Sequence, residues 1–380
     1  MSFQHLEAPA MIPLLDLKAQ FETIRSEVVP ALLEVVESQK FIMGEPVRLL
    51  EQAVAEFIGV PNAVACASGT DALLLSLKAL KLQPGEEVIT TPFTFFATAG
   101  AIHNAGGKPV FVDVDPATFN IDVSQVEDAI TTRTRAIMPV HLFGQMADME
   151  SILAIAEKHG LAVIEDAAQA IGARRKIDGD WCMAGVRGMT GAFSFFPSKN
   201  LGGWGDGGMI TTGDPDLAER IARLRTHGGA KQYHHEEIGT NSRLDTLQAA
   251  VLLAKLNHLK RWNEARREHA AVYSEGLKDA VGVTVPVTDL VNEHVYNQYT
   301  IRSDRRDRLR AHLKEGGIGT AVYYPRPLHL QPCFADLGYS KGRFPEAEKA
   351  CEEVLSLPVY PELSEEQQTR VIDAILEFCA

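Results

Sequence analysis

An α/β fold built around a mostly parallel sheet is predicted by this 380-residue sequence, on three observations. From about residue 60 to 215, short β-rich runs alternate with helix-length amphipathic segments, the order that strand–helix–strand crossovers produce. The runs read as buried strands, as those of a parallel sheet covered on both faces do. Finally, Asp166 stands at the carboxyl end of one such run, where open α/β sheets place their ligands.

The elements follow in order. A helix is predicted over 20–39; with no sheet partner nearby in sequence, it is expected to pack across the C-terminal part of the chain. A strand at 64–66 leads into a helix over 73–80. Strands at 87–90, 109–114, 136–141 and 162–165 are interleaved with helices at 97–105, 123–130 and 147–159. Two more strands, 192–196 and 208–212, flank a tight glycine-rich connection that carries Lys199. A helix at 214–225 precedes a long helical stretch over 244–278, whose length suits a bridge between domains. Runs at 283–287 and 296–302, a helix at 306–315, a run at 320–324 and a last helix at 364–378 suggest a smaller α+β unit. The expected division is a large α/β domain at 11–265 and a small α+β domain at 266–380. The sequence carries no internal repeat or low-complexity tract.

Composition excludes several function classes. With 46% hydrophobic and 23% charged residues, the chain can bury one large core and a smaller one. A formal net charge of −13 argues against general binding to nucleic acid or an anionic membrane, so any phosphate site must be local. The five cysteines show no CxxC spacing, so neither a zinc site nor a disulfide framework is expected. The first ten residues lack a basic start and a long apolar core, and no later stretch reaches the ~18 apolar residues of a membrane span. A cytoplasmic protein with reduced thiols is expected.

Two motifs carry chemistry. Lys199 lies in Phe195-Phe196-Pro197-Ser198-Lys199-Asn200, and Asp166 ends the apolar run of Ile164-Glu165-Asp166-Ala167-Ala168-Gln169. A lysine able to form a Schiff base and an aspartate able to hold a pyridinium nitrogen are the groups that pyridoxal phosphate chemistry needs most. Each alone is also an ordinary surface charge or helix cap. Ala67-Ser68-Gly69-Thr70-Asp71-Ala72 joins a strand to a helix start, where backbone amides and the Thr70 hydroxyl face an anion, or simply cap the helix. Ser194 is a second candidate phosphate donor. Gly203-Trp204-Gly205-Asp206-Gly207-Gly208 matches the dinucleotide fingerprint G-x-G-x-x-G, but a strand rather than a helix is expected to follow, so the glycines are read as making room beside Lys199. His227, His234 and His235 lack acidic or cysteine partners at helical spacing; no metal site is expected.

Taken together, Phe41-Ile42-Met43-Gly44, Ala67-Ser68-Gly69-Thr70-Asp71-Ala72, Phe93-Thr94-Phe95-Phe96-Ala97-Thr98, Glu165-Asp166-Ala167-Ala168-Gln169, Ser194-Phe195-Phe196-Pro197-Ser198-Lys199, Gly205-Asp206-Gly207-Gly208 and Asn241-Ser242-Arg243-Leu244-Asp245 resemble the DegT/DnrJ/StrS group of nucleotide-sugar aminotransferases, which are fold-type I pyridoxal phosphate enzymes. The stretches keep the family's order from about residue 11 onward. The resemblance implies a seven-stranded, mostly parallel central sheet and pyridoxal 5'-phosphate as cofactor. It implies that Lys199 carries the cofactor as a Schiff base and then moves the proton, and that Asp166 keeps the pyridine nitrogen protonated. It further implies that Gln169 bonds the ring's phenolic oxygen, that Phe95 stacks on the ring, and that Gly69, Thr70 and Ser194 hold the phosphate. Asn241 would join them from a neighbouring subunit, making the active unit a homodimer.

The reaction so implied passes an amino group from L-glutamate to a ketone on a nucleotide-linked sugar, by ping-pong kinetics. Arg243 leads the candidates for the anionic substrate, with Lys231, His234 and Arg326 behind it; Tyr323 and Tyr324 are further substrate contacts. The segments around 198–199, 233–235 and 241–250 resemble members that aminate C3, including those acting on UDP-linked 2-acetamido-3-keto-hexuronates, where Arg243 would pair with the uronate carboxylate. Those relatives often have His-Tyr-Pro where this chain has Tyr323-Tyr324-Pro325, which leaves a 4-keto sugar as the alternative. A sugar dehydratase would have histidine in place of Lys199, and a non-catalytic regulatory protein would have no chemical need for Lys199, Asp166, Gln169 and Asn241 together. Surface-polysaccharide or antibiotic-sugar synthesis is the implied setting.

Overall fold

The computed structural model describes residues 11–231 and 233–380. Its elements are α1 (Leu17–Ser38), α2 (Glu45–Ile58), β1 (Asn62–Cys66), α3 (Gly69–Ala79), β2 (Glu87–Thr90), α4 (Ala97–Asn104), β3 (Lys108–Phe111), β4 (Thr134–Ile137), α5 (Met149–His159), β5 (Ala162–Asp166), β6 (Arg174–Ile177), β7 (Asp180–Met183), β8 (Thr190–Ser194), β9 (Gly208–Thr212) and α6 (Pro215–Leu224). There follow α7 (Thr246–Leu256), α8 (Leu259–Leu277), β10 (Asn292–Glu293), β11 (Tyr299–Arg302), α9 (Arg306–Glu315), α10 (Pro345–Glu353), β12 (Val354–Leu357) and α11 (Glu365–Cys379). Side chains written into the sequence set many of the ends. Asp16 accepts from the Lys18 and Ala19 amides to start α1, Gly160 closes α5 in the left-handed region, and Ser364 with Gln367 forms a capping box on α11.

The seven strands β1-β9-β8-β5-β4-β2-β3 form the central sheet in that order, with only β9 antiparallel to its neighbours. Alternate residues of the inner strands enter the two halves of a first core, one on each face of the sheet. Ile89, Ile137, Val163 and Met209 pack with residues of α2, α5 and α7; Val88, Ala136, Ile164 and Ile210 pack with α3, α4 and α6. Coverage of both faces is why these strands read as continuous apolar runs. A second core lies around the β11–β12 pair, with Tyr273 and Leu277 of α8, Leu309 and Leu313 of α9, and Val371 and Ile375 of α11. Helix α8 contributes to both, through Leu259 in the first core and Tyr273 in the second. Among the described residues no helix is long and apolar enough to cross a membrane.

Several local expectations need correction. Over 123–130 there are two 3₁₀ turns, Val123–Gln125 and Glu127–Ala129, closed by bonds from Val126 to Val123 and from Ile130 to Glu127, instead of a helix. The 244–278 stretch is two helices, because the chain tightens at Asn257-His258, where the His258 amide bonds the Lys255 carbonyl. The helix expected at 20–39 forms as α1, but it does not pack toward the small C-terminal unit. Its buried stripe, with Ile24 and Val28, lies on Val251 of α7 and Trp262 of α8. The segment before it reaches the second core instead, where Ile12 bridges Ile318. Residues 283–287 and 320–324 make only single bridges, Thr284 to Arg302 and Ala321 to Ser356, and the unanticipated β12 pairs with β11. Also unanticipated is the β6–β7 hairpin. Its turn, Asp178-Gly179, has both φ angles positive, 53° and 88°, the conformation that Asp-Gly favours between strands.

The seating of α1 has a measurable consequence. Ile24 is 2% exposed and Val36 is 44% exposed, so Ile24→Ala should cost about 2–5 kcal/mol and Val36→Ala less than about 0.5 kcal/mol in urea unfolding. Similar losses from the two would contradict this packing.

Candidate active site

Strands β1, β8, β5 and β2 run in one direction, since β9 is antiparallel to both β1 and β8 and the other pairs are parallel. Their carboxyl ends therefore share one edge of the sheet. Asp166 ends β5, Ser194 ends β8, the Ala67-to-Thr70 turn follows β1, and Phe93 to Phe96 follow β2. This edge is where ligands of open α/β sheets bind.

Asp166 is 5% exposed. One carboxylate oxygen accepts from the Thr98 hydroxyl at 2.7 Å and the other from the Ala168 amide at 3.3 Å. Burial pushes its pKa up, against these bonds and the nearby Lys199 charge. Lys199 sits in the turn after β8, its amide bonded to the Phe196 carbonyl at 2.9 Å. Burial lowers its amine to about 8, against the pull of Asp166. Each group thus makes the other's charged form less costly, and neither has a hydrogen-bonded ion-pair partner among the described residues. The lysine turn rests on a second buried amine, Lys255 of α7, which donates to the Gly202 carbonyl.

One residue before Asp166, on the opposite face of β5, Glu165 is fully buried. It accepts from the Gly185, Arg187 and Gly188 amides and from His141 at 2.9 Å. Burial alone would raise its pKa, but His141 and the amides bring it below the usual range. The Ala147 amide donates to the other ring nitrogen of His141 at 3.2 Å, so the proton sits on Nε2, facing Glu165. The His141 amide in turn donates to the Asp166 carbonyl at 3.0 Å. The pair therefore ties the strand end that carries Asp166 to its surroundings.

At the start of α3, Ser68 caps the helix by accepting from the Asp71 amide at 3.1 Å. The Gly69 and Thr70 amides, first in the helix, have no acceptor within it. A Cβ on Gly69 would lie 2.6 Å from Ser194 Cβ, so only glycine lets the helix start approach the end of β8 this closely. Gly69, with Thr70 next to it, is thereby brought against Ser194 at the end of β8.

The remaining predicted residues divide. Phe95, 57% exposed, presents its ring beside Tyr324, with centroids 6.2 Å apart. Gln169 is largely committed within the protein: its oxygen accepts from the Phe143 amide at 2.6 Å and its nitrogen donates to the Tyr324 hydroxyl at 3.0 Å, leaving one N–H for a ligand. Tyr323 is half-buried next to it. Arg243 is half-buried and, among the described residues, makes no side-chain hydrogen bond or ion pair; Asn241 is exposed and bridges Thr226. Lys231 and His234 pair through their backbones in an exposed loop, and among the described residues no hydrogen bond or ion pair joins them to Lys199. His235 bonds the His227 carbonyl at 3.0 Å, and among the described residues no group of three His, Cys, Asp or Glu is arranged for a metal ion. Arg326 is exposed beside the Leu330 carbonyl. The G-x-G-x-x-G match opens β9, so it lacks the helix a dinucleotide site requires. Thr98 was not singled out from the sequence, although Thr94, whose hydroxyl lies 3.0 Å from it, marks the same face of the chain one turn earlier.

These residues fit pyridoxal phosphate. A buried carboxylate short of positive charge suits a protonated ring nitrogen, the helix start suits a phosphate, Phe95 offers an uncovered ring face, and Lys199 offers an amine near neutrality.

Comparison with known proteins agrees. The model of the DegT/DnrJ/EryC1/StrS aminotransferase family matches residues 22–376. A pleiotropic regulatory protein of Geobacillus stearothermophilus is 55% identical, over 97% of this chain and 98% of its own. A UDP-N-acetyl-3-dehydro-alpha-D-glucosamine 3-aminotransferase of Acidithiobacillus ferrooxidans is 46% identical, over 96% of this chain and 97% of its own. The crystal structure of S. venezuelae DesV in complex with a ketimine intermediate superposes with a TM-score of 0.94 at 44% identity, covering 97% of this chain and 99% of that one.

The lowered Lys199 pKa sets a pH dependence. The neutral amine is the nucleophile, so covalent uptake of pyridoxal phosphate by the cofactor-free protein should speed up as pH rises and level off above about 8. Stopped-flow absorbance checks this; a rate that keeps climbing into the ordinary lysine range would show that burial does not depress the amine.

Proposed function

We propose a reaction on one settled premise: this chain belongs to the DegT/DnrJ/EryC1/StrS aminotransferase family. Its cofactor is pyridoxal 5'-phosphate, which when bound accepts the amino group and draws electrons from the bond that breaks. The proposed acceptor is a 3-keto sugar on a nucleotide, and the proposed donor is L-glutamate. The single observation that carries this reading is the meeting, on one sheet edge, of the Lys199 amine, the buried Asp166 carboxylate and the Gly69 turn against Ser194. The choice of C3 is supported by the Acidithiobacillus relative, whose name specifies amination there.

In this reading Lys199, with an amine near 8, takes a proton from the substrate carbon and returns one. Asp166 holds a proton on the ring nitrogen, kept in place by Thr98 and by the strand end that His141 and Glu165 anchor. Gln169 offers its remaining N–H to the ring's phenolic oxygen, and Phe95 covers the ring. Gly69, Thr70 and Ser194 receive the phosphate. Arg243 supplies a free guanidinium for the anionic part of the sugar nucleotide, with Tyr323 and Tyr324 as further substrate contacts; His234 stands on an exposed loop.

The proposed active unit is a homodimer, in which Asn241 acts on the neighbour's cofactor. In support, the loop preceding Asn241 exposes Tyr233 at 89% and Ile238 at 90%, apolar surface that a second copy would cover. The expected division into a large domain at 11–265 and a small one at 266–380 places the sugar-binding tyrosines on the small side.

The regulatory name of the Geobacillus relative favours one second reading, a cofactor-binding protein without turnover. L-glutamate separates the two. The loaded protein should lose its absorption band on adding glutamate and regain it with a 3-keto nucleotide sugar. Recovery with a 4-keto sugar alone would overturn the C3 assignment, and a band unmoved by any amino acid would favour the regulatory reading. Asp166→Ala should retain bound cofactor yet lower kcat by about 10²–10³-fold, as losing one preorganised charge at a reacting centre does; near-normal turnover would remove Asp166 from its role.

A further inference from the structure

Ser242 lies next to residues already assigned, yet it has no role in the reaction described above. It is fully buried, and its hydroxyl donates to Asp71 Oδ2 at 2.6 Å and accepts from the Ala67 amide at 3.3 Å. Its own amide donates to the Arg225 carbonyl at 2.9 Å. Arg225, 6% exposed, in turn donates to the Ala65 carbonyl at 2.6 Å and to Glu51 Oε1 at 2.5 Å, and Glu51 accepts from the Ala65 amide at 2.9 Å. The end of β1, the turn after it and the first turn of α3 are thus held at residues 65, 67 and 71 by the side chains of Glu51, Arg225 and Ser242.

Asp71 makes this arrangement consequential. A carboxylate in the first turn of a helix stabilises the bare helix, because it faces the positive end of the dipole. The same carboxylate repels a phosphate bound there. A hydroxyl bonded to it spreads its charge and fixes its direction, and the second bond of that hydroxyl holds the Ala67 amide in place.

Building on the cofactor reading above, we propose that Ser242 is a positioning residue for the cofactor phosphate: it tethers the Asp71 carboxylate and pins Ala67, so that the start of α3 accepts an anion despite its own acidic side chain. Arg225 and Glu51 complete the brace from behind. Ser242 itself touches neither the phosphate nor the reacting atoms.

The test is a titration of the cofactor-free, full-length protein with pyridoxal phosphate, followed by absorbance. Ser242→Ala should weaken binding about tenfold, the effect of losing one hydrogen bond to a charged group, with kcat at saturating cofactor within about twofold of wild type. Ser242→Thr, which keeps the hydroxyl, should bind within about threefold of wild type. Asp71→Asn added to Ser242→Ala should recover most of the lost affinity, since the untethered charge is gone; a purely structural role for the serine would give no such recovery. Equal binding by wild type and Ser242→Ala, or a double variant no better than Ser242→Ala, overturns the proposal. Failure of the wild-type protein to bind the cofactor at all would instead overturn the cofactor reading on which it rests.

Discussion

Taking a carboxylate and an amine out of water costs several kcal/mol for each ion unless other groups compensate, and the site is organised around that cost. Asp166 is pushed toward its neutral form and Lys199 toward its own. The bare site therefore holds two groups whose charged forms burial disfavours, each offset in part by the charge of the other. Moving either group into solvent would return it to an ordinary surface charge. The closed packing of the sheet edge is thus a chemical requirement as well as a mechanical one.

Much of the surrounding structure holds this pair still. Glu165 stitches β5 to the loop before β8, and His141 stitches it to the segment after β4. Lys255 supports the lysine turn from below. These buried polar groups are bonded to backbone more than to one another, so they fix the path of the chain. At the start of α3, the close approach of Gly69 to Ser194 fixes the helix start against the end of β8, in the place proposed for the cofactor phosphate. Positions of charge are determined by backbone geometry, which tolerates little adjustment.

The central sheet was legible because parallel strands buried on both faces leave a short-range signal, as at Val88-Ile89 or Val163-Ile164. Lys199, Asp166 and the Gly69 turn were legible because each lies within a short motif. The 123–130 region misled because its spacing of valines and isoleucine imitates a helix, while the Asp122 side chain captures the Ser124 amide and tightens the chain into 3₁₀ turns. The β6–β7 hairpin carried a readable Asp-Gly turn, obscured by the basic run Arg174-Arg175-Lys176. The Ser242–Asp71 bond joins residues 171 positions apart, and nothing local to either residue announces it. Propensity and periodicity are local signals, whereas the bracing of a site depends on which distant segments meet.

Helix α8 runs unbroken from one core to the other, whereas the chain before it tightens at Asn257-His258. This single helix of 19 residues carries side chains of both cores on one continuous element, whereas the tightening at Asn257-His258 lies wholly on the side of the first core, between Leu256 and Leu259. Lys255 stands two residues before Asn257 and grips the carbonyl of Gly202. The element that joins the two cores is therefore covalently continuous, through that tightened link, with the helix whose Lys255 holds the turn carrying Lys199.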